Sequence, residues 1–253
     1  MEDNNSNVFY VEGGCNKVIF LIHGLTGAPI EMRTIAKLLQ KDGFSSYVPL
    51  IAGHCNGADA LTKTTWQDWY EGLVEDLKEV YKKYGKVHIA GLCAGGSLGL
   101  LLAKDFPHMV KAVAIYSPIL KYNGWSMRWY YTLANSLLDI TLKILPPLRK
   151  LQLKETFPFG IKNQKLRDFV LKMSSKNAAI IETYPLISLN EYLKLVKVLQ
   201  KNLPKLQTPL LLIQSIVDDV SSYKGSLYIQ TRYGGICDVH YLNNSYHLIN
   251  IDQ

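Results

Sequence analysis

A chain of 253 residues is long enough for one large domain, or for one domain with a sizeable insertion, and a content of 48% hydrophobic and 19% charged residues excludes a disordered chain. The formal net charge of +7 invites an anionic partner, but the excess cations fall mostly between Lys143 and Lys205, interleaved with Leu, Tyr and Phe. Nucleic acid is not expected, because that region lacks the signatures of a nucleic-acid module, and four cysteines with no close pair (Cys15, Cys55, Cys93, Cys237) make neither a disulfide framework nor a zinc motif.

The opening "MEDNNSNVFYVEGG" is acidic and polar, with no basic segment leading into an apolar one, so a cytoplasmic location is the expectation. "KVIFLI", Lys17 to Ile22, is a continuous apolar run of strand length, as in a strand covered on both faces. "HGLTGAP" ends it. Pro29 suits a first helical position, and "IEMRTIAKLLQKDG" carries apolar residues at helical spacing up to Gly43.

A short strand is predicted at Ser45 to Pro49, then a polar loop "IAGHCNGADALTKT", then a helix from about Thr65 to Tyr84 with acid-to-lysine pairs. The strand Lys86 to Ala90 leads into a helix starting at Cys93 to Gly95, and "VKAVAIY" forms the next strand. From Lys121 to Lys205 the rhythm changes to helix-prone segments punctuated by prolines, which predicts a helical cap inserted in a single domain spanning 1–253. "PLLLIQ", a helix near Ser222 to Tyr233 and the strand "CDVHYL" complete the pattern. Such alternation implies an α/β fold with a mostly parallel central sheet and helices on both faces.

The apolar stretch "WSMRWYYTLANSLLDITLKILPPL" is interrupted by Arg128, Asp139, Lys143 and a Pro-Pro pair, so no transmembrane span is expected. An amphipathic surface that covers an apolar pocket or touches lipid fits it. Trp125, Trp129, Tyr130, Tyr131, Phe157 and Phe159 are candidates to line an acyl pocket, with plain core packing as the alternative.

Chemistry concentrates in "VHIAGLCAGGSLGLLLA". A strand that turns into a helix within a few residues strains the residue at the corner and brings its neighbours two before and two after together, so only small residues fit there. Gly91-Leu92-Cys93-Ala94-Gly95 meets that demand and presents Cys93 as a nucleophile. A tetrahedral intermediate needs two preorganised donors. The N–H groups of Ala94 and of Leu25, in "HGLTG" after the first strand, are the candidates.

An acid and a histidine should follow in that chain order. "SIVDDVSS" offers Asp218 and Asp219, and "NNSYHLINID" offers His247, each in a loop after a strand, where sites of open α/β sheets gather. His88 and His240 fall inside strands, His108 follows a helix, and His54 lies in a loop facing the site but too early in the chain to be the base.

The segments "FLIHGLTGAPIEMRTIAKLL", "AGHCNGADALTKTTWQDWY", "AGLCAGGSLGLLLA" and "SYHLINID" resemble those of the α/β-hydrolase superfamily, in particular bacterial carboxylesterases and monoacylglycerol-lipase-like enzymes. The resemblance implies Cys93 as nucleophile, Asp218 as acid with Asp219 the alternative, His247 as base, and no metal or organic cofactor. Most such esterases carry serine where this chain has Cys93. Their usual final helix has no expected counterpart, since the sequence stops at Gln253, six residues beyond His247.

A thiol changes the expected chemistry. Beside a histidine it can rest as a thiolate–imidazolium pair, and attack is then easy. Thiolate also leaves more readily than alkoxide, so the adduct of an alkyl ester reverts unless histidine protonates the leaving oxygen. Esters with good leaving groups, thioesters and lactones are therefore the expected small-molecule substrates. Acyl transfer through the same cysteine and a catalytically silent binding protein are the alternatives.

Overall fold

The computed structural model describes residues 8–154, 157–174 and 183–252. The start of the polar N-terminal segment (1–7), two stretches of the expected insertion (155–156 and 175–182) and Gln253 lie outside the described residues. The central sheet contains, in chain order, β1 (Phe9–Val11), β2 (Val18–Ile22), β3 (Ser45–Val48), β4 (Val87–Leu92), β5 (Val110–Tyr116), β8 (Leu210–Ser215) and β9 (Cys237–Leu242). Their spatial order is β1-β3-β2-β4-β5-β8-β9, with β1 antiparallel to β3 and every other neighbouring pair parallel.

The apolar runs read from sequence become the middle of this sheet. In β2, Phe20, Leu21 and Ile22 are fully buried, because helices cover both faces. Helices α1 (Arg33–Lys41), α2 (Ala58–Leu61), α3 (Trp66–Tyr84), α4 (Ala94–Asp105) and α8 (Lys224–Arg232) follow their strands. A capping box starts α3: the Thr65 hydroxyl accepts from the Asp68 N–H, and the Asp68 carboxylate accepts from the Thr65 N–H. Its buried face carries Trp69, Leu73, Leu77 and Val80 at helical spacing. The four-residue α2 falls in the segment read as a polar loop, and β1 was not visible as a strand because three half-exposed residues at a sheet edge carry no clear alternation.

The segment between β5 and β8 holds α5 (Trp129–Ile144), β6 (Gln152–Lys154), α6 (Gln164–Ser174), β7 (Thr183–Pro185) and α7 (Leu186–Asn202). Strands β6 and β7 form a small antiparallel pair outside the central sheet. The two ends of the expected insertion differ. Helix α7 buries Tyr192, Leu195, Val196 and Leu199 in the main core beside α4. Helix α5 touches the body through Leu138 and Leu142, which meet Leu189 of α7 in a separate small cluster. Beyond His247 the described residues through Asp252 form turns. Among the described residues no helix is long and apolar enough to cross a membrane.

Candidate active site

The strands deliver the site at their carboxyl ends. Strand β4 is paired on both sides, to β2 and β5, and stops at Leu92. The next residue, Cys93, has φ 51° and ψ −109°, a strained conformation for a residue with a side chain. Its N–H donates to the Tyr116 carbonyl (2.8 Å), and its carbonyl accepts from the Ser97 N–H (3.2 Å) as α4 begins.

The glycines on either side allow this corner. A Cβ on Gly91 would overlap the backbone of Gly95 and Gly96, and one on Gly95 would overlap the carbonyl oxygens of Ile22 and His23. The loop after β2 is thereby pressed against the elbow. Ala94 is the first residue of α4, so its N–H has no partner within the helix.

Two histidines that the sequence reading did not assign hold the loop carrying Leu25. Burial, then the neighbouring His54, keeps His23 well below the usual histidine range, so its ring is neutral. Its Nε2 accepts from the Ile51 N–H (3.3 Å), which leaves Nδ1–H to donate to the Gly24 carbonyl (3.0 Å). His54 Nε2 donates to the Leu25 carbonyl at 2.5 Å, and burial pushes His54 below its ordinary value. The only available signal was its place in a loop facing the site.

His247 and the two aspartates converge from the loops after β9 and β8. The His247 Nδ1–H donates to Asp218 Oδ2 at 2.9 Å. The same oxygen accepts from Gln214 Nε2 (2.7 Å), and Asp218 Oδ1 accepts from the N–H groups of Val220 (2.7 Å) and Ser221 (2.9 Å). Asp219, which sequence pattern left equivalent, has other partners. Its Oδ1 accepts from the His247 main-chain N–H (3.1 Å) and its Oδ2 from the Gly160 N–H (3.1 Å). Burial raises the Asp219 carboxyl above its usual range against the pull of His247, with the charge of Asp218 adding to the rise.

The Cys93 side chain and the His247 imidazole line the same cavity, and Cys93 is one of the groups that act on the ring. Burial alone would lower His247, but the charge and hydrogen bond of Asp218, joined by Cys93, hold it well above the ordinary histidine value. The His247 carbonyl accepts from Ser117 Oγ (2.6 Å), and Asp252 ties the surrounding turns by accepting from the Tyr246, Lys162 and Asn163 N–H groups at 2.8–2.9 Å. These supports come from residues far apart in sequence and had no local signature.

A cavity of about 320 Å³ opens over Cys93 and His247, lined also by Leu25, Ile119, Tyr122 and Phe159. A second chamber of about 160 Å³ shares Tyr122, Phe159 and Gly160 with it and adds Met127, Tyr131, Leu153 and Leu189. Of the six aromatic candidates, Phe159 lines both chambers and Tyr131 the second, whereas Trp125, Trp129, Tyr130 and Phe157 are exposed. Among the described residues no three His, Cys, Asp or Glu side chains converge as metal ligands would.

This sheet, with its sharp strand-to-helix corner facing loops from β8 and β9, is an α/β-hydrolase fold. The chain belongs to the Hydrolase_4 family, described as serine aminopeptidase S33, whose model matches residues 14–253. It is 32% identical over 111 residues to a thermostable monoacylglycerol lipase of Bacillus sp. strain H-257, covering 44% of each chain. It is 25% identical over 126 residues to a carboxylesterase of Bacillus subtilis strain 168, covering 45% of this chain and 51% of that one. The matches thus span about half the length of these curated relatives. A metagenome-derived lipolytic enzyme, of the pair LipS and LipT, superimposes with a TM-score of 0.81 at 20% identity, over 99% of this chain and 92% of that one.

Proposed function

We propose that the protein hydrolyses carboxylic esters or thioesters through a covalent acyl-enzyme on Cys93, with His247 as acid and base and Asp218 orienting it. The observation that carries the reading is that Cys93, on its strained corner, and the His247 ring, bonded to Asp218, line one cavity. Membership of a hydrolase family and similarity to a monoacylglycerol lipase and a carboxylesterase support the ester class.

The Cys93 thiolate adds to the acyl carbonyl carbon, forming the C–S bond as the carbonyl electron pair moves to oxygen. The N–H groups of Leu25 and Ala94 receive that oxyanion. On collapse the C–O or C–S bond to the leaving group breaks, and the imidazolium of His247 protonates the departing atom. Water then gives a proton to His247 and adds to the thioester, and Cys93 departs as thiolate. The raised affinity of His247 for its proton favours the imidazolium needed for the first collapse.

The apolar second chamber, with Met127, Tyr131, Leu153 and Leu189, suits the acyl chain. The insertion presents the enzyme to a lipid surface. On α5, Trp129, Leu133, Leu137, Ile140 and Ile144 are all exposed and fall within about 80° of one another at helical spacing. Arg128, Lys143, Arg149 and Lys150 flank this stripe, as in helices that lie in an anionic interface. The cytoplasm remains the proposed compartment.

Mass spectrometry after brief exposure to acyl esters and acyl thioesters tests the reading: an acyl adduct on Cys93, with a burst of leaving group equal to the enzyme, is expected. No adduct and no burst would favour a silent binding protein. Predominant transfer of the acyl group to glycerol in place of water would favour a transferase. A Cys93→Ser variant should gain on alkyl esters relative to thioesters, because serine removes the leaving-group disadvantage.

A further inference from the structure

A third cavity, of about 370 Å³, lies at the end of the sheet opposite Cys93. Its wall includes Lys86, Lys104, Lys111, Lys205, Gln207 and Thr208. Lys86 directly precedes β4, Lys111 is the second residue of β5, and Gln207 and Thr208 lead into β8. Lys104 comes from the last turn of α4 and Lys205 from the turn after α7. Four lysines from separate parts of the chain therefore line one opening, while β4, at roughly 3.3 Å per residue, sets this pole about 20 Å from the elbow.

The charge there is largely uncompensated. Lys104 pairs with Asp105 at 2.8 Å, and among the described residues no ion pair involves Lys86, Lys111 or Lys205. Among the described residues no carboxylate lines the cavity. The field extends into the sheet, where burial, then the charges of Lys111 and Lys17, lower His88. Like charges gathered at one cavity repel unless an anion sits among them. Gln207 and Thr208 add hydrogen-bonding groups that suit phosphoryl oxygens.

We propose that this cavity binds a soluble small polyanion of the phosphoanhydride or oligophosphate class. Three unpaired ammonium groups match an anion carrying several charges better than a monocarboxylate. Among the described residues no aromatic ring lines the cavity, so they offer no stacking surface for a base, which separates it from a nucleotide site. A phosphorylated lipid headgroup shares the chemistry, but the exposed apolar stripe of α5 belongs to the insertion that roofs the opposite pole.

Calorimetric titration of the full chain with tripolyphosphate, at low and high salt, tests this. Binding should weaken by about 100-fold in the variant Lys86→Ala/Lys111→Ala/Lys205→Ala, from roughly fivefold per lost ammonium contact in water, and should weaken as salt screens the charges. A control of equal charge loss, Lys143→Ala/Lys150→Ala/Lys172→Ala, should leave it within about twofold. No binding to the unmodified chain, or equal loss in the two variants, would overturn the site. Phosphatidylglycerol vesicles provide the second arm: vesicle binding that disappears with the first trio alone would overturn the soluble source in favour of a headgroup. All three lysines of the first trio are exposed, and an unchanged melting temperature separates lost binding from lost fold.

Discussion

Helices α4 and α5 are both rich in apolar residues, and they meet water in opposite ways. Helix α4 is buried from Ala94 through Ala103. Helix α5 buries Leu138 and Leu142 and leaves Trp129, Leu133, Leu137, Ile140 and Ile144 exposed. The difference lies in side-chain size. Gly95, Gly96 and Gly99 allow α4 to approach β2, β4 and β5 closely, where a Cβ on Gly96 would overlap Ile115 and one on Gly99 would crowd Ile89. Helix α5 has no glycine, and its bulky residues point in two opposite directions, only one of which finds protein. Apolar content alone therefore does not decide burial; the closeness of approach that the small residues allow does. The elbow fixes one geometry, and α5 leaves an apolar face exposed.

The sharpest test of that division is Cys93→Ala. It should lower hydrolysis of an activated ester by about 10⁴-fold or more while leaving vesicle binding by the cap untouched. Retention of hydrolysis within tenfold would remove Cys93 from the chemistry. Asp218→Asn comes next, with a loss of up to about 10⁴-fold and a change in pH profile. The charge of Asp218 helps hold His247 above its ordinary value, so the alkaline limb of kcat/KM should move to lower pH in the variant.

The sign for stability follows from the same raised value. The folded state holds the His247 proton more tightly than the unfolded chain, so the contribution is complete below about pH 6.5. It is lost as pH rises through the raised value. Melting temperatures of Asp218→Asn and of the unmodified chain should therefore differ most in mildly acidic buffer and converge in alkaline buffer. Asp219→Asn keeps the ring partner of His247 and disturbs its main chain, so it should cost stability with little shift of the limb. Equal limb shifts in the two variants would contradict the division between these aspartates.

The parts of this architecture legible in sequence were those with a local cause. Strands β2 and β4 read as apolar runs because they are covered on both faces, and β5 and β8 remained legible although Lys111 and Leu211 are exposed, because their other positions are apolar or buried. The elbow read from five residues because steric crowding at the corner admits so few alternatives. The separate duties of Asp218 and Asp219 did not read, because each is defined by a partner far along the chain, such as Gly160 for Asp219. His54 was set aside as a base by chain order, and nothing local marks its bond to Leu25, 29 residues away. The three-residue strands β6 and β7 are too short for periodicity to register, and α5 blurs it by being apolar on two faces.

Gly95→Ala tests the elbow's side of the comparison by sterics alone. The added methyl has no room against the carbonyl oxygens of Ile22 and His23, and neither is a side chain that can swing away. Overpacking of this kind should destabilise the fold by about 3 kcal/mol, read as a lower denaturation midpoint. The Ile22–His23 backbone must also shift, so the Leu25 donor moves and activity should fall even in molecules that remain folded. A methyl accommodated without loss of either property would mean that the corner is looser than its contacts imply.

Ile140→Ser tests the other side, with the smallest expected effect. Ile140 is 56% exposed, so its replacement removes little that the fold uses, and the denaturation midpoint should correspond to a change below about 0.5 kcal/mol. Burying such a side chain in an interface is worth about 1.5 kcal/mol, so partition onto anionic vesicles should fall about tenfold. Hydrolysis of a short, water-soluble ester should be unchanged, since the residue does not line either chamber above the elbow. Loss of stability in place of partition would place this face against protein and make α5 a core helix like α4; loss of soluble-ester hydrolysis would couple the cap's outer face to the elbow.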